Sequence, residues 1–278
     1  MRIIDTVGDI AREAGRFVRQ METDRSLVVR EKGSSYDFVT TADTGSQALI
    51  ARRVKALFPE DVVIGEEDNL TDREVLDRCL NAKARAWLVD PLDGTVNFIR
   101  GLGGYAVSIG VFEGGEVVCG AIYLPESDEL FLAEKGQGAS VNGRPIHVAR
   151  HATLPEAIGA THIPVSDMDL RRRSNRWNEA AIMASQNLRI LGSSARTQAK
   201  VALGGVDYYY EYGPHPWDVA AGALIVREAG GVVSRLDGGP YDYALGGIVA
   251  SSAAIHESVI RLLNETDRHL SEYGTCPA

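Results

Sequence analysis

Apolar and polar positions recur with two different periods along the chain, and each period predicts one kind of element. Near the amino terminus the apolar spacing of three to four residues predicts a helix over 3–20, with one stripe formed by Ile3, Ile4, Val7, Ile10, Ala14, Phe17 and Val18. A similar spacing predicts a second helix over 43–57. A short β-branched run then predicts a buried strand that ends at residue 64.

The middle of the chain changes to short apolar runs that are separated by turn residues. Runs at 105–112, 117–124 and 129–133 are divided by Glu-Gly-Gly and Pro-Glu-Ser-Asp segments. This pattern predicts three strands of an antiparallel meander.

The second half of the chain alternates between the two periods. It predicts helices over 169–184, 194–203, 218–229 and 254–264 and strands at 188–191, 207–212, 232–234 and 248–250. Strands first and alternation afterwards favour a mixed fold, in which an α+β amino-terminal lobe, 1–145, packs on an α/β carboxyl-terminal lobe, 146–278.

Acidic side chains follow the most apolar of these runs. The segment Trp87-Leu-Val-Asp90-Pro-Leu-Asp93-Gly-Thr95 passes from a buried strand into two carboxylates, a proline and a hydroxyl. Ligand sites commonly lie just past the carboxyl end of a strand, and carboxylates buried there are poorly solvated unless a cation holds them. Asp90, Asp93 and the backbone carbonyl of Leu92 are therefore a candidate oxygen cage for Mg²⁺.

Three other acidic positions support a metal site, although each also has a simpler explanation. Glu66 follows a predicted strand, Asp43 precedes a predicted helix, and Asp218 opens another helix. The simpler explanation is that Asp43 or Thr44, and likewise Asp218, only caps its helix. The Asp-Pro-x-Asp-Gly sequence is itself typical of a turn.

Composition and charge narrow the classes of function. The chain has 278 residues, 45% of them hydrophobic and 24% charged, and a formal net charge of −9. An acidic protein is not expected to bind nucleic acid or anionic membranes non-specifically. Three widely spaced cysteines without a C-x-x-C pair suggest neither a disulfide framework nor a zinc site. Because no run is long and apolar enough to span a bilayer, we expect a cytoplasmic protein.

The motifs resemble the inositol monophosphatase family of Mg²⁺-dependent, lithium-sensitive sugar phosphatases. Residues 87–95 with Asn97-Phe98 match the first family signature, and Trp217-Asp218-Val-Ala-Ala-Gly with Glu228-Ala-Gly-Gly match the second. The elements Lys32…Asp37-x-Val-Thr…Asp43, Gly-Glu66-Glu and Arg189-x-x-Gly192 stand in the family's order. The resemblance extends from residue 10 to about 262, and it implies an alternating five-layer αβαβα sandwich with the active site between the lobes.

The resemblance also implies a cofactor, Mg²⁺, with two or three ions at each site. Glu66, Asp90 and the Leu92 carbonyl would hold the first ion, and Asp90, Asp93 and Asp218 would hold the second. Glu66 would also contact a third, weaker ion. Because this acidic set would repel a phosphate ester, the anion needs the metal.

The catalytic residues implied by the resemblance are Thr95, Asp43 and Glu66. Thr95, held by Asp43, would orient and deprotonate the attacking water. Gly94 and Thr95 would begin a short helical turn whose N–H groups bind a phosphate oxygen.

The implied substrate pocket is centred on Glu211, which in the family hydrogen-bonds ring hydroxyls of a cyclitol or sugar. The remaining substrate contacts would come from Asp93, Gly94, Thr95, Arg189, Gly192, Ser193, Ser194 and Asp218, and Thr161 lies where the family often supplies another hydroxyl. A simpler interpretation makes Glu211 an exposed glutamate at a strand end. Arg171-Arg-Arg173 would contact a second phosphate or would form a solvated helix face.

The sequence leaves the alcohol open, because Ser193-Ser194-Ala-Arg196-Thr197 and Tyr208-Tyr-Tyr210 depart from the family's plainer residues. The leading hypothesis is a homodimeric phosphatase that acts on inositol 1-phosphate or a similar small phosphorylated polyol or sugar. The enzymatic alternatives are histidinol phosphate, fructose 1,6-bisphosphate and adenosine 3′,5′-bisphosphate as substrates. A regulatory protein that binds RNA polymerase or ribosomal RNA complexes is the alternative from another class.

Overall fold

The structure is a computed structural model that describes residues 2–23, 27–31, 38–163, 168–241, 243 and 246–273. Its helices are α1 (Ile3–Met21), α2 (Thr41–Leu57), α3 (Asp72–Leu80), α4 (Thr95–Ile99), α5 (Met168–Ala184), α6 (Ser194–Ala202), α7 (Pro216–Glu228) and α8 (Ala253–Tyr273). A short 3-10 helix, Glu66–Asp68, and another, Leu154–Glu156, connect longer elements.

The strands belong to two large sheets and one small antiparallel pair. They are β1 (Val29–Glu31), β2 (Phe38–Thr40), β3 (Val62–Gly65), β4 (Ala86–Asp93), β5 (Ala106–Glu113), β6 (Glu116–Leu124), β7 (Glu129–Glu134), β8 (Ala139–Val141), β9 (Arg144–Pro145), β10 (Ile158–Thr161), β11 (Asn187–Ile190), β12 (Tyr208–Glu211), β13 (Gly231–Ser234) and β14 (Ile248–Ser252). A seven-stranded sheet follows chain order from β3 to β9, and a five-stranded sheet has the order β11-β10-β12-β14-β13. In the second sheet β10 runs parallel to β11 and β12, whereas β14 is antiparallel to both of its neighbours.

The helices and sheets stack in five layers, as the family resemblance implied. Helices α1 and α2 cover one face of the seven-stranded sheet, α6 and α7 lie between the two sheets, and α5 and α8 cover the far face of the five-stranded sheet. Because α7 is enclosed on both sides, nearly its whole surface is apolar. The five-layer prediction is confirmed. The division into lobes at residue 145 stays a prediction, since α6 and α7 pack against both sheets.

The pattern did not predict the two 3-10 helices, helix α3, strand β10, the β1–β2 pair or the β8–β9 pair. Helix α3 is mostly charged and buries only Val75 and Cys79, so its apolar stripe is too short to be detected. Strand β10 reads Ile-Gly-Ala-Thr, which has neither alternation nor a β-branched run. The part of the family match at Lys32 and Asp37 lies outside the described residues.

The structure also describes two of the cysteines and the apolar character of the helices. Cys79 and Cys119 are buried free thiols. Within the described ranges we find no helix with the length and apolar character needed to cross a lipid bilayer.

Candidate active site

The carboxyl end of β4 carries the two central carboxylates. All eight residues of β4 are buried, because helices cover both faces of the sheet. The pairing with β5 is irregular between Asp90 and Asp93. The chain moves three residues along β4, from Asp90 to Asp93, while the paired residues on β5 are only two apart. Such a bulge changes the direction in which side chains point. The structure thus places Asp90 and Asp93 where the strand leaves its regular register.

A close approach of two glycines joins this strand end to the second half of the chain. Gly94 has φ +92° and Gly192 has φ +73°, a region that side chains rarely adopt. A Cβ on Gly94 would lie 3.1 Å from the Gly192 carbonyl oxygen, and a Cβ on Gly192 would lie 2.8 Å from the Asn97 amide. The two glycines therefore allow these segments to pack closely, and a side chain at either position would force them apart.

Thr95 and Asp43 are brought together as the sequence analysis expected. The Thr95 hydroxyl lies 3.1 Å from Asp43 Oδ1 and 3.0 Å from the Leu92 carbonyl oxygen. The N-cap of α2 is Thr40, so the suggestion that Asp43 or Thr44 occupies that position is wrong. Asp43 instead accepts the Thr40 N–H at 2.9 Å through its other oxygen, which completes a capping box. Asp43 therefore both stabilises the helix end and faces Thr95.

Asp218 also lies one turn further into its helix than predicted. The N-cap of α7 is His215, and Asp218 Oδ2 accepts the His215 N–H at 2.9 Å. The His215 ring stacks on Trp217 with centroids 4.6 Å apart, and its Nδ1 lies 2.8 Å from Asp72 Oδ1. The hydrogen bond with Asp72 and the neighbouring carboxylates Asp218 and Glu66 raise the pKa of His215 to about 9. An imidazole with a raised pKa thus borders the acidic residues, and helix α3, which the sequence did not predict, supplies its partner.

The amino terminus of α6 binds Asp93. Ser193 is the N-cap, and its hydroxyl donates to Asp93 Oδ2 at 2.5 Å, while the Ala195 N–H donates to the same oxygen at 2.6 Å. The Ser194 N–H reaches Asp93 Oδ1 at 3.2 Å. A carboxylate is favourable at a helix amino terminus because the free N–H groups point toward it. Ser193 is therefore held by Asp93 and the helix cap, whereas Ser194 has its hydroxyl available to another partner.

That partner is Glu211, at the end of β12. The Ser194 hydroxyl donates to Glu211 Oε2 at 2.7 Å, and the Tyr209 hydroxyl donates to the same oxygen. Glu211 is only 5% exposed, so the alternative of an exposed strand-end glutamate is wrong. Burial raises the pKa of Glu211, and the hydrogen bond from Ser194 partly opposes that rise. A buried carboxyl with these partners is suited to accept a hydrogen bond from a bound hydroxyl.

The four carboxylates expected to bind metal affect one another. Burial raises the pKa of Asp90 well above its ordinary value, and Glu66, Asp93 and Asp218 raise it further. Burial also raises the pKa of Asp218, with Asp93, Glu211 and Glu66 adding to the rise. Mutual repulsion among desolvated carboxylates is what a divalent cation would relieve, and an all-oxygen donor set is the one that Mg²⁺ prefers. The donor chemistry thus fits Mg²⁺.

The side-chain orientations are not those of an assembled metal cage. Among the described residues, no three acidic, histidine or cysteine side chains stand in an arrangement that could hold one ion. Asp93 is turned toward the 193–195 turn with both oxygens, and Asp218 is turned toward the His215 N–H. Asp90 Oδ1 accepts the Leu92 N–H at 3.0 Å. Binding an ion at this site would require some of these carboxylates to rotate, and the ligand set stays a prediction.

Three of the basic positions singled out in the sequence lie away from the acidic residues. Arg189 is exposed on the edge strand β11 and donates to the neighbouring Leu188 carbonyl at 3.2 Å. On α5, Arg172 pairs with Asp169 at 3.1 Å, and Arg173 pairs with Asp267 of α8. These pairs belong to the outer helical layer, so they favour the solvated helix face over a second phosphate site.

The structure adds residues that the motifs did not reveal. His162 follows Thr161 at the end of β10, and Gln198 donates through Nε2 to the carbonyl oxygens of Ser194 and Asp218, each at 3.1 Å. Gln198 thereby links the substrate-side helix α6 to α7. Neither position belongs to an acidic motif, and His162 could have been found only by pairing β10 with β12, which the pattern did not predict.

An acidic site between the sheets of a five-layer sandwich is the architecture of a phosphoric monoester hydrolase of the sugar phosphatase class. Within that class the chain belongs to the Inositol monophosphatase family, whose model matches residues 2–268. Nus factor SuhB of Escherichia coli (strain K12) is 36% identical over 259 residues, which are 90% of this chain and 91% of the relative.

Two other relatives agree with the family assignment. The fructose-1,6-bisphosphatase/inositol-1-monophosphatase of Thermotoga maritima is 33% identical over 239 residues, which are 85% of this chain and 86% of that protein. The solved structure of extragenic suppressor protein suhB from Bartonella henselae superposes with a TM-score of 0.87 at 31% identity. That superposition covers 95% of this chain and 98% of the other.

Proposed function

We propose that the protein is a Mg²⁺-dependent phosphomonoesterase that hydrolyses inositol 1-phosphate or a similar polyol phosphate. The observation that carries this proposal is the position of Glu211 and Ser194 beside Asp93, next to the mutually repelling carboxylates. A hydroxyl-binding pair thus adjoins a set suited to divalent cations. The Thermotoga maritima relative, whose name includes inositol-1-monophosphatase, supports this substrate class.

The metal ligands we propose are Glu66, Asp90, the Leu92 carbonyl, Asp93 and Asp218. When bound, Mg²⁺ would neutralise the phosphate oxygens and make water a stronger nucleophile. The dependence of the family on Mg²⁺ supports this assignment, and so do the raised pKa values of Asp90 and Asp218, which burial and the neighbouring carboxylates cause.

Thr95 and Asp43 are the residues we propose for moving the proton of the attacking water. The Thr95 hydroxyl has one hydrogen, which it directs to either Asp43 or the Leu92 carbonyl. When it points at Asp43, the lone pairs of its oxygen remain able to accept a hydrogen bond from water. A proton taken at Thr95 Oγ1 then passes to Asp43 Oδ1. The N–H groups of Gly94 and Thr95 are proposed to contact the phosphate.

Glu211 is proposed to bind a hydroxyl of the leaving alcohol, and the Glu211→Gln variant tests this role. We expect kcat/KM for inositol 1-phosphate to fall about tenfold to a hundredfold, which is the value of one charge-assisted hydrogen bond. Hydrolysis of p-nitrophenyl phosphate, which has no such hydroxyl, should change little because Asp90 and Thr95 remain intact. Steady-state phosphate release measures both substrates.

The outcome of this comparison separates binding from support of the fold. Equal loss on both substrates would assign Glu211 to holding the Ser194 and Tyr209 contacts, and would contradict a role in hydroxyl binding. Glu265→Gln, on α8 in the outer layer, is the matched control and should leave both rates unchanged.

The substrate class itself is tested by release of inorganic phosphate from four esters under identical conditions. Inositol 1-phosphate should give the highest kcat/KM among inositol 1-phosphate, histidinol phosphate, fructose 1,6-bisphosphate and adenosine 3′,5′-bisphosphate. The ion pairs that Arg172 and Arg173 make with acidic residues favour a solvated helix face at these positions, and this supports the ranking. A clear preference for either bisphosphate would overturn it.

We further propose a homodimer that forms through a surface made by α4, the loop that follows it and the edge strand β11. Val96, Leu102 and Ile190 are 48%, 74% and 53% exposed, and the Asn97 amide donates to the Leu191 carbonyl at 2.9 Å, which joins the two segments. Adjoining exposed apolar side chains are typical of an interaction surface. Light scattering of the wild-type protein should give the molar mass of a dimer. The Leu102→Glu variant should give the molar mass of the monomer. A monomeric wild-type protein would refute the proposal.

A regulatory role is a second candidate, because a relative of 36% identity is named Nus factor SuhB. The protein would then bind RNA polymerase or ribosomal RNA complexes. A pull-down of RNA polymerase with the wild-type protein and with Asp90→Asn tests this function. Equal retention by both would establish binding that is separate from catalysis, and no retention by either would remove this candidate.

A further inference from the structure

The end of β10 places a histidine next to the proposed hydroxyl-binding residue. Strands β10 and β12 are parallel, and Thr161 pairs with Tyr210. The residues that follow them, His162 and Glu211, therefore leave the sheet at the same edge. The Thr161 hydroxyl donates to the His162 carbonyl at 3.2 Å, which fixes the backbone at this point.

The electrostatic effects of His162 agree with its position in the β10–β12 register, beside two carboxylates of the pocket. Burial raises the pKa of Glu211, and His162 is the strongest influence in the opposite direction. Burial also raises the pKa of Asp93, and His162 again opposes the rise, together with the Ser193 hydroxyl and the N–H groups at the start of α6. His162 therefore lies near both Asp93 and Glu211.

Within the described part of the chain, one nitrogen of this ring lacks a hydrogen-bond partner. His162 Nδ1 is inaccessible to solvent and makes no hydrogen bond to any residue that the structure describes. An unpaired buried nitrogen is costly, and the cost is recovered when a ligand supplies the missing partner. The two neighbouring carboxylates do have partners, since Glu211 accepts from Ser194 and Tyr209 and Asp93 accepts from the 193–195 turn.

We propose that His162 is a specificity-determining residue whose Nδ1 hydrogen-bonds to a hydroxyl of the leaving alcohol. This inference rests on the proposed polyol phosphatase function and adds a second contact to it. Ionised Glu211 and Asp93 can only accept hydrogen bonds, whereas an imidazole nitrogen can donate. A hydroxyl that donates to Glu211 and a neighbouring hydroxyl that accepts from His162 would together select alcohols with adjacent hydroxyl groups. The carboxylates around His162 disfavour a second anionic group there.

The test uses His162→Ala and two amide variants in the full chain with Mg²⁺. For inositol 1-phosphate, His162→Ala should lower kcat/KM on the order of tenfold, the scale of one neutral hydrogen bond. For p-nitrophenyl phosphate the change should stay below about twofold. Cyclohexyl phosphate provides a ring of the same size without hydroxyls, and its inhibition constant should be the same for His162→Ala as for the wild-type protein.

The amide variants distinguish a contact made by Nδ1 from a structural role. An asparagine amide can occupy the position of Nδ1, whereas a glutamine amide reaches toward the position of Nε2. His162→Asn should therefore recover most of the lost kcat/KM for inositol 1-phosphate, and His162→Gln should not. His147→Ala is the matched control, because His147 is exposed and lies beside Gly204 at the opposite end of α6 from Ser194.

Two results would overturn the assignment of His162. The first is an equal loss for inositol 1-phosphate and p-nitrophenyl phosphate in His162→Ala with an unchanged Tm. The second is a selective loss for fructose 1,6-bisphosphate, which would mean that His162 binds an anion. Failure of the wild-type protein to hydrolyse any polyol phosphate would instead refute the proposed function. That result is distinct from the test of His162, which compares kcat/KM of the variants with kcat/KM of the wild-type protein.

Discussion

Replacing Asp90 with asparagine is expected to lower kcat for inositol 1-phosphate by roughly a thousandfold or more. Asp90 is 2% exposed, and its pKa is raised by burial and by Glu66, Asp93 and Asp218. Asp90 is the proposed ligand common to both Mg²⁺ ions, so the loss of its carboxylate weakens the binding of both ions. Metal ions supply several kcal/mol of transition-state stabilisation, and each ~1.4 kcal/mol corresponds to a factor of ten in rate.

The same substitution should make the metal-free protein more stable. Because the folded-state pKa of Asp90 is raised, the folded protein holds the proton more tightly than the unfolded chain does. The metal-free wild-type protein therefore loses stability as the pH rises from the ordinary carboxyl range through the raised pKa. Asparagine carries no charge at any pH, so Asp90→Asn should raise Tm at pH 8, by roughly 2–4 °C for each kcal/mol relieved.

Thermal unfolding in excess chelator at pH 5 and pH 8 measures this difference. The Tm gain of Asp90→Asn should be larger at pH 8 and should shrink toward pH 5. Asp9→Asn is the matched control, because Asp9 is exposed on α1, and it should change neither kcat nor Tm. A variant at position 90 that retained near-normal turnover would mean that the Asp-Pro-x-Asp-Gly segment is only a turn.

The parts of the site that could be predicted are those whose functional residues lie next to one another in the sequence. The segment 87–95 carries its strand, its bulge and both carboxylates within nine residues, so pattern and chemistry point to one place. The Thr95–Asp43 contact spans 52 positions. It could be expected only through the family resemblance, since neither residue alone distinguishes a helix cap from a catalytic group.

The parts that were missed depend on packing between distant segments. The pKa of His215 is raised because α3 places Asp72 against the ring, and α3 escaped detection because its sequence is mostly charged. His162 lies near Glu211 because two short parallel strands align, and β10 has no recognisable pattern. Tertiary packing thus determined where these side chains lie, which local spacing does not encode.

Removal of Mg²⁺ is the other change from which we expect a very large effect. Excess chelator should abolish phosphate release from inositol 1-phosphate, and restored Mg²⁺ should recover it in full. The physical reason is charge: the protein has a formal net charge of −9, and Glu66, Asp90, Asp93 and Asp218 lie at the proposed site of a phosphate anion. Without a divalent cation, these carboxylates repel the substrate and nothing in the set can stabilise the leaving oxygen.

Lithium should inhibit the Mg²⁺-loaded enzyme. The family resemblance supports this expectation, because Li⁺ entering a Mg²⁺ position supplies half the charge, which is too little to stabilise the transition state. Initial rates over a Li⁺ titration, with Na⁺ at equal ionic strength as the control, measure the effect.

The wild-type Tm should also rise with Mg²⁺, and the Tm of Asp90→Asn should rise much less, since binding stabilises only a folded state that holds the ion. Full activity in excess chelator would show that the buried carboxylates serve some purpose other than metal binding.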